Sequence, residues 1–276
     1  MGNLISQSDV YILGNAAAEL QRLIEQARFF HDLTLQLFRL AGLERGMHIL
    51  DIGCGLGDVA FLAAEIVGPE GLVIGVDRSP EAIALAQERA SAARLTNMRF
   101  MVQDVSELIL DEPVDAIVGR LILMYLTNPS LVINRLLDNL SPGGTVVFQE
   151  MDMEGVKSEP YCEVFETTVE RIRQTFMRCG IDSRFGLRLR PILQDAGLPA
   201  PQMIQSARVE GGYDSPGYAV MEQMVRTLLP MMEKSGVATA DEFGLDTLAE
   251  RLREENIARD AVMILPPLIG AWSHKF

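Results

Sequence analysis

Two periodicities divide the chain. Across residues 15–42, Leu20, Leu23, Ile24, Phe30, Leu33, Leu37 and Leu40 recur at helical spacing, with no Pro and no Gly before Gly42. One or two amphipathic helices are predicted there, with Asn15 and Asp32 as capping residues at their starts. From residue 47 the pattern changes to short apolar runs: His48–Ile52, Leu72–Val76, Met98–Val102, Ala116–Val118 and Thr145–Gln149. Runs of that length, rich in Val and Ile, read as strands buried on both faces. Helical stretches separate them at about 57–67, 80–93 and 130–140. Ser79-Pro80-Glu81 supplies the capping side chain, the proline and the first-turn acid of a helix start. Alternation of this kind predicts an α/β fold, a Rossmann-like doubly wound and mostly parallel sheet.

Beyond about residue 150 the order is less regular. Helices are expected over 161–178, Leu187–Ala196 (ended by Gly197 and Pro199) and 216–235, the last carrying Met221, Met224, Val225, Leu228 and Leu229 at helical spacing. Met203–Glu210 reads as a strand, and Thr247-Leu-Ala-Glu250 has the form of a capping box. Ala261–Leu265 followed by Leu268–Trp272 reads as a closing strand with a proline break. With no repeat and no low-complexity linker, the expectation is a single domain over 1–276: an N-terminal helical cap to about 42, a core over 43–152, and lid and substrate-side elements over 153–276.

Charge narrows the partners. The formal net charge is −14, and a phosphate-neutralising binder needs a basic face. The densest basic group, Arg178, Arg184, Arg188 and Arg190, reads as a solvated face. Nucleic acid and anionic membrane are therefore discounted. Cys54, Cys162 and Cys179 are odd in number and fit neither a zinc site nor a disulfide framework, so no metal is expected. Free thiols, the lack of a signal-peptide pattern and the lack of a long apolar run together predict a cytoplasmic protein.

Candidate chemistry begins where the first predicted strand ends, at Asp51-Ile-Gly53-Cys-Gly55-Leu-Gly57-Asp58. Glycines at a strand-to-helix turn let backbone approach a ligand without Cβ clashes, and the next helix offers free amides. Alone, such a turn is a weak signal. The second strand ends at Asp77, placed to accept the hydroxyls of a ribose, and the third is followed by Asp104, placed for the amino group of an adenine. Polar groups at successive strand ends share the sheet edge where ligands bind. NAD and S-adenosylmethionine (SAM) both fit such an edge. Gly53, Gly55 and Gly57 lack the Gly-x-Gly-x-x-Gly spacing of a pyrophosphate site, and Asp51 would repel a phosphate while tolerating an ammonium. SAM is the expected cofactor.

These motifs resemble those of the class I SAM-dependent methyltransferases, and residues 47–150 follow that family's order. The resemblance implies a methionine-side loop at Asp51, Gly53, Cys54 and Gly55. It implies ribose and adenine contacts at Asp77 and Arg78 and an adenine edge at Asp104 and Val105. Gly119-Arg120-Leu-Ile-Leu-Met124 is similar to the segment that lines the sulfonium, and Ser141–Phe148 to the turn into the fifth strand. The flanks resemble bacterial small-molecule methyltransferases with a helical cap, natural-product tailoring enzymes among them. On that likeness Tyr11 and Gln26 would fold over the cofactor.

The expected reaction is methyl transfer to O, N or C of a small organic molecule. The alternatives are a SAM-binding relative that does not methylate and, less favoured, an NAD-dependent oxidoreductase. In-line displacement at a sulfonium draws on positioning and exclusion of water, so a general base is not required. Glu150, Tyr161 and His31 are the catalytic candidates, with Tyr125, Asp152 and Tyr213 behind them. For each the competing reading is a solvated or structural side chain; His31 sits on a strongly apolar helix. Arg120 argues against a metal-assisted mechanism. A homodimer is compatible with the sequence, which does not determine oligomeric state.

Overall fold

The computed structural model describes residues 29–276; Tyr11, Asn15 and Gln26 lie outside them. Residues 29–40 are helical (α1). Asp32 is inside this helix beside His31, so it caps nothing, because the chain is already helical before it. The strands that follow are β1 (His48–Ile52), β2 (Leu72–Asp77), β3 (Met98–Val102), β4 (Val114–Arg120) and β5 (Leu140–Met151). Helices α2 (Asp58–Val67), α3 (Pro80–Ala92) and α4 (Pro129–Leu136) alternate with them. Ser79 Oγ accepts from the Ala82 amide at 3.1 Å with Pro80 at the first position of α3. β4 and β5 outrun their apolar centres because polar and glycine residues join the ladder: Asp115 accepts from the His48 amide at 2.8 Å, and Gly143 and Gly144 lie within β5. The helix expected to reach 140 stops at Leu136 and tightens into a 3₁₀ turn over Leu137–Asn139.

The rest comprises β6 (Lys157–Glu159), α5 (Glu163–Arg178), α6 (Leu189–Asp195), β7 (Gln202–Ser206), β8 (Val209–Gly211), α7 (Gly217–Lys234), α8 (Ala240–Phe243), α9 (Leu248–Ala258), β9 (Val262–Ile264) and β10 (Leu268–His274). Two single-strand expectations are corrected. Met203–Glu210 divides into β7 and β8, and Ala261–Trp272 into β9 and β10; in both cases the halves join different sheets. Pro266 and Pro267, which donate no backbone hydrogen bond, separate the second pair. The capping box at Thr247 does not form either. Thr247 Oγ1 donates to the Gly244 carbonyl at 3.1 Å, and the box is made instead by Thr239 and Glu242 at the start of α8.

Backbone contacts group the residues into two compact units. One gathers Phe30–Met151, Phe185–Ser206 and Leu268–Phe276. It holds a seven-stranded sheet in the order β3-β2-β1-β4-β5-β10-β7, parallel except for β10, which runs antiparallel to both neighbours. Apolar side chains cover both faces: Ile49, Val73, Val118 and Val147 belong to one core cluster, and Leu50, Ile52, Ile117 and Phe148 to the other. Two-sided burial is why the strands read as unbroken apolar runs. The other unit gathers Asp152–Arg184 and Ala207–Pro267 around a three-stranded antiparallel sheet, β6-β9-β8, and the helices α5, α7, α8 and α9. Met221 and Met232 are fully buried, so the methionines of α7 contribute to packing. Among the described residues, no helix is long and apolar enough to cross a membrane.

Candidate functional site

The strand order reverses between β1 and β4: from β1 the chain winds outward to β2 and β3, then returns to β4 on β1's other side. Ligands in doubly wound sheets bind beyond the carboxyl ends of the strands at such a switch point. Asp51 and the glycine turn lie at that end of β1, and Arg120 closes β4.

Gly53, Gly55 and Gly57 all have positive φ, at 62°, 52° and 85°. At Gly53 the constraint is double, because a Cβ would also lie 2.5 Å from the Ile122 side chain. The turn is held from outside by Arg89 of α3. Its guanidinium donates to the Leu56 carbonyl at 2.5 Å and to Asp58 Oδ1 at 2.7 Å, and stacks 4.8 Å from the centre of the Phe61 ring. Nothing in the sequence singles out Arg89, since its partners lie about thirty residues away in the chain.

Asp51 is 1% exposed, and neither carboxylate oxygen has a hydrogen-bond partner. Burial pushes its carboxyl well above the usual range; Arg120 and the Ala60 amide pull it part of the way back, while Asp77 opposes them. A buried carboxylate left bare is costly, and a cation supplied from outside would remove that cost. Burial, with Asp51 and Asp77 nearby, also drives the Cys54 thiol far up, so it stays protonated and unreactive at neutral pH.

Asp77 is clamped by backbone. Its Oδ2 accepts from the Gly55 amide and its Oδ1 from the Ser79 amide, each at 2.9 Å. Both oxygens retain capacity to accept from a ligand. Asp104 is exposed and caps a short turn, accepting from the Ser106 hydroxyl at 2.6 Å and the Ser106 amide at 2.8 Å. Those bonds, the hydroxyl's first, hold its carboxyl below the ordinary value, and the exposed Arg78 acts in the same direction. Val105 follows, buried.

Arg120 donates through Nη1 to Thr34 Oγ1 at 3.0 Å, and Thr34 Oγ1 lies 2.7 Å from Gln149 Oε1 and 3.2 Å from the Phe30 carbonyl. Burial lowers the guanidinium's pKa, with Asp58 and Asp51 opposing. On the other sheet face Glu150 is fully buried. Its Oε1 accepts from the amides of Ile122 at 3.0 Å and Leu123 at 2.7 Å, while Oε2 has no partner. Burial raises its carboxyl to about 8 against the pull of those amides. Glu150 thus holds the turn after β4, where Leu121 takes a positive φ of 55°.

The remaining candidates are dispersed. His31 is partly exposed, 3.1 Å from Asp32 and 3.8 Å from Glu65. Tyr125 is 47%, Tyr161 61% and Tyr213 69% exposed. Asp152 is buried and accepts from the Glu154 amide at 3.0 Å. Among the described residues no cluster of His, Cys, Asp and Glu could hold a metal.

Comparison with known proteins bears on the family and the fold. Residues 43–197, more than half of the chain, match the family described as "Methyltransferase domain". An arsenite methyltransferase of Halobacterium salinarum is 29% identical over 164 residues, covering 59% of this chain and 40% of that protein. The aklanonic acid methyltransferase DauC of a Streptomyces species is 32% identical over 121 residues, 44% of this chain and 55% of its own. The chain thus spans about half the length of these relatives. A SAM-dependent methyltransferase from Aquifex aeolicus superposes with a TM-score of 0.51 over 87% of this chain and 88% of its own, at 16% identity, which is a likeness of fold. With its strand order, its glycine turn and the match over residues 43–197, the chain belongs to the methyltransferase-domain family and has the fold of the SAM-dependent methyltransferases.

Proposed function

We propose that the protein binds SAM at the β1–β4 switch point and transfers its methyl group to an O, N or C nucleophile of a small organic molecule. The observation that carries this reading is Asp51, a buried carboxylate without a partner beside a turn where only glycine fits. That combination suits a cationic amino-acid group approaching closely and disfavours a pyrophosphate. Asp51 takes the ammonium, while Gly53, Cys54 and Gly55 supply backbone. Asp77 accepts the ribose hydroxyls, with Arg78 nearby, and Asp104 and Val105 border the adenine. Tyr11 and Gln26 are carried from the family likeness alone.

The bound cofactor supplies an electrophilic methyl on a sulfonium. The chain's own part is to orient and to exclude water. Glu150 contributes by fixing the turn at Ile122 and Leu123 rather than by taking a proton, since its carboxyl is already protonated through much of the neutral range. His31 is only partly buried and Tyr161 is exposed, and the scheme requires a role of neither. A small-molecule acceptor is supported by the arsenite and aklanonic acid named for the two relatives and by the net charge of −14, which is unsuited to nucleic acid.

Calorimetric titration with SAM, S-adenosylhomocysteine and NAD tests the reading. The first two should bind and NAD should be silent. Heat from NAD without heat from SAM would overturn it.

A further inference from the structure

The glycine turn is fastened at successive peptides, mostly from within or from the strand beside it. The Cys54 amide donates to the Val76 carbonyl at 3.0 Å, the Gly55 amide to Asp77 at 2.9 Å and the Gly57 amide to the Cys54 carbonyl at 2.8 Å. Arg89 is different, because it reaches in from the last turn of α3. Its Nη1 donates to the Leu56 carbonyl, and its Nη2 to Asp58, the first residue of α2. The Leu56–Gly57 peptide is thereby gripped at both polar ends, its carbonyl by Arg89 and its N–H by Cys54. It cannot rotate without leaving one of those groups unmatched. Gly57, at φ 85°, has no Cβ to oppose such a rotation by itself. The same guanidinium covers the Phe61 ring. Phe61 and Phe100 in turn close on Gly57, where a Cβ would lie 3.2 Å and 3.0 Å from them.

Resting on the SAM reading, we propose that Arg89 is a positioning residue for the cofactor: without touching the ligand, it fixes the peptide planes of the turn that receives the amino-acid arm. Arg89 and Asp58 are only 26% and 17% exposed, and a sheltered ion pair is screened far less than a surface one. The guanidinium also supplies two separate donors in one rigid plane, so a single side chain ties the turn to the start of α2. Its partners lie next to Gly53, Cys54 and Gly55, which meet the amino-acid arm in this reading. The adenosine half is met at Asp77 and Asp104, and neither bond of Arg89 goes to those residues. Loss of Arg89 therefore loosens the grip on one half of the cofactor and spares the other.

The test compares S-adenosylhomocysteine with 5′-methylthioadenosine. Both are thioethers of adenosine, and the second lacks the amino-acid arm. Affinities are measured by calorimetry, the weaker ligand by displacement of the stronger, for the wild type, Arg89→Met and Arg89→Lys, each checked for folding by circular dichroism. In Arg89→Met, S-adenosylhomocysteine should weaken about 3- to 30-fold, the size of a coupling carried through neighbours, and 5′-methylthioadenosine by less than about twofold. Arg89→Lys keeps the charge opposite Asp58 but cannot span both partners, so it should fall between the wild type and Arg89→Met; it also serves if the Met variant does not fold. If Arg89 only stabilises the fold, the melting temperature drops while the ratio of the two affinities keeps its wild-type value. That result overturns the inference and leaves the SAM reading intact. Equal weakening of both ligands overturns it in the same way. A wild type that binds neither ligand would sink the cofactor reading and this inference together.

Discussion

The two units treat buried polar groups differently. In the unit around α5, α7 and α9, the half-buried carboxylates are bonded within the unit. Glu166 Oε1 accepts from both the amide and the hydroxyl of Ser158, at 2.6 and 2.7 Å, and Ser158 Oγ accepts from the Cys162 amide at 2.8 Å. Glu255 of α9 accepts from the first free amides of α5, those of Glu163 and Val164, each at 2.8 Å. Tyr218 donates to the Gly212 carbonyl, with its hydroxyl also 3.2 Å from Asn256 Oδ1. Asn256 Nδ2 and the Nε atoms of Arg251 and Arg253 lack partners. Even so, Arg251 bonds the carbonyls of Phe243 and Gly244, and Arg253 lies over the rings of Tyr213 and Tyr218. In the unit with the seven-stranded sheet, both oxygens of Asp51 and one of Glu150 are bare, and both residues sit near the carboxyl ends of parallel strands. Unpaired buried carboxylates cost stability, so their presence at one edge marks where stability gives way to binding.

The largest expected effect is on the pH dependence of stability. The Glu150 carboxyl titrates near 8 in the folded chain against an ordinary value of 4.5. The unfolded chain ionises first, so the contribution to stability is complete below 4.5 and is lost as pH rises towards 8, by at most about 5 kcal/mol. Glu150→Gln should flatten the slope of urea-unfolding free energy between pH 5 and pH 8. An unchanged slope would mean that Glu150 is no more costly than the paired carboxylates of the other unit.

Next is Asp51→Asn, for which affinity and stability should move in opposite directions. SAM binding should weaken about 100-fold, a charged hydrogen bond of roughly 3 kcal/mol, while the melting temperature rises because an unpartnered carboxyl that is costly to bury and ionise is gone. Retained affinity would remove the ammonium assignment, and a lower melting temperature would remove the argument that the edge is destabilised. Asp77→Ala should cost about 1–3 kcal/mol of SAM binding, through the lost ribose acceptor and the loosened Gly55 amide. The smallest effect is expected in the well-paired unit. Glu255→Gln leaves one α5 amide badly matched, costing about 1 kcal/mol of stability with no change in SAM affinity. Calorimetry and thermal melts read both, and a large affinity loss here would erase the contrast.

The parallel part of the main sheet was legible because its strands are buried on both faces and their apolar runs have no competing helical period. The glycine turn, Asp51, Asp77 and Asp104 could be placed at strand ends for the same reason. Less was legible after residue 150. Met203–Glu210 and Ala261–Trp272 each look continuous in hydropathy, yet each crosses from one sheet to the other. Hydropathy reports burial and carries no label for the sheet a strand joins. Thr247 and Thr239 each precede an acid by three residues, and only the backbone geometry at Thr239 lets both capping bonds close.

The sequence by itself determined the α/β alternation, the order of the acids along the sheet edge and the family likeness, because all three depend on local periodicity and short spacings. Only the tertiary structure decided what those acids experience. Thr34 and Gln149 are 115 residues apart and meet at 2.7 Å, Arg89 reaches back across 33 residues to the Leu56 carbonyl, and Glu150 spans 28 residues to the Ile122 amide. Whether a carboxylate is clamped like Asp77 or bare like Asp51 depends on desolvation and on partners brought in by chain crossings. Neither is written in the identity of the residue, because an aspartate's energy is set by what surrounds it.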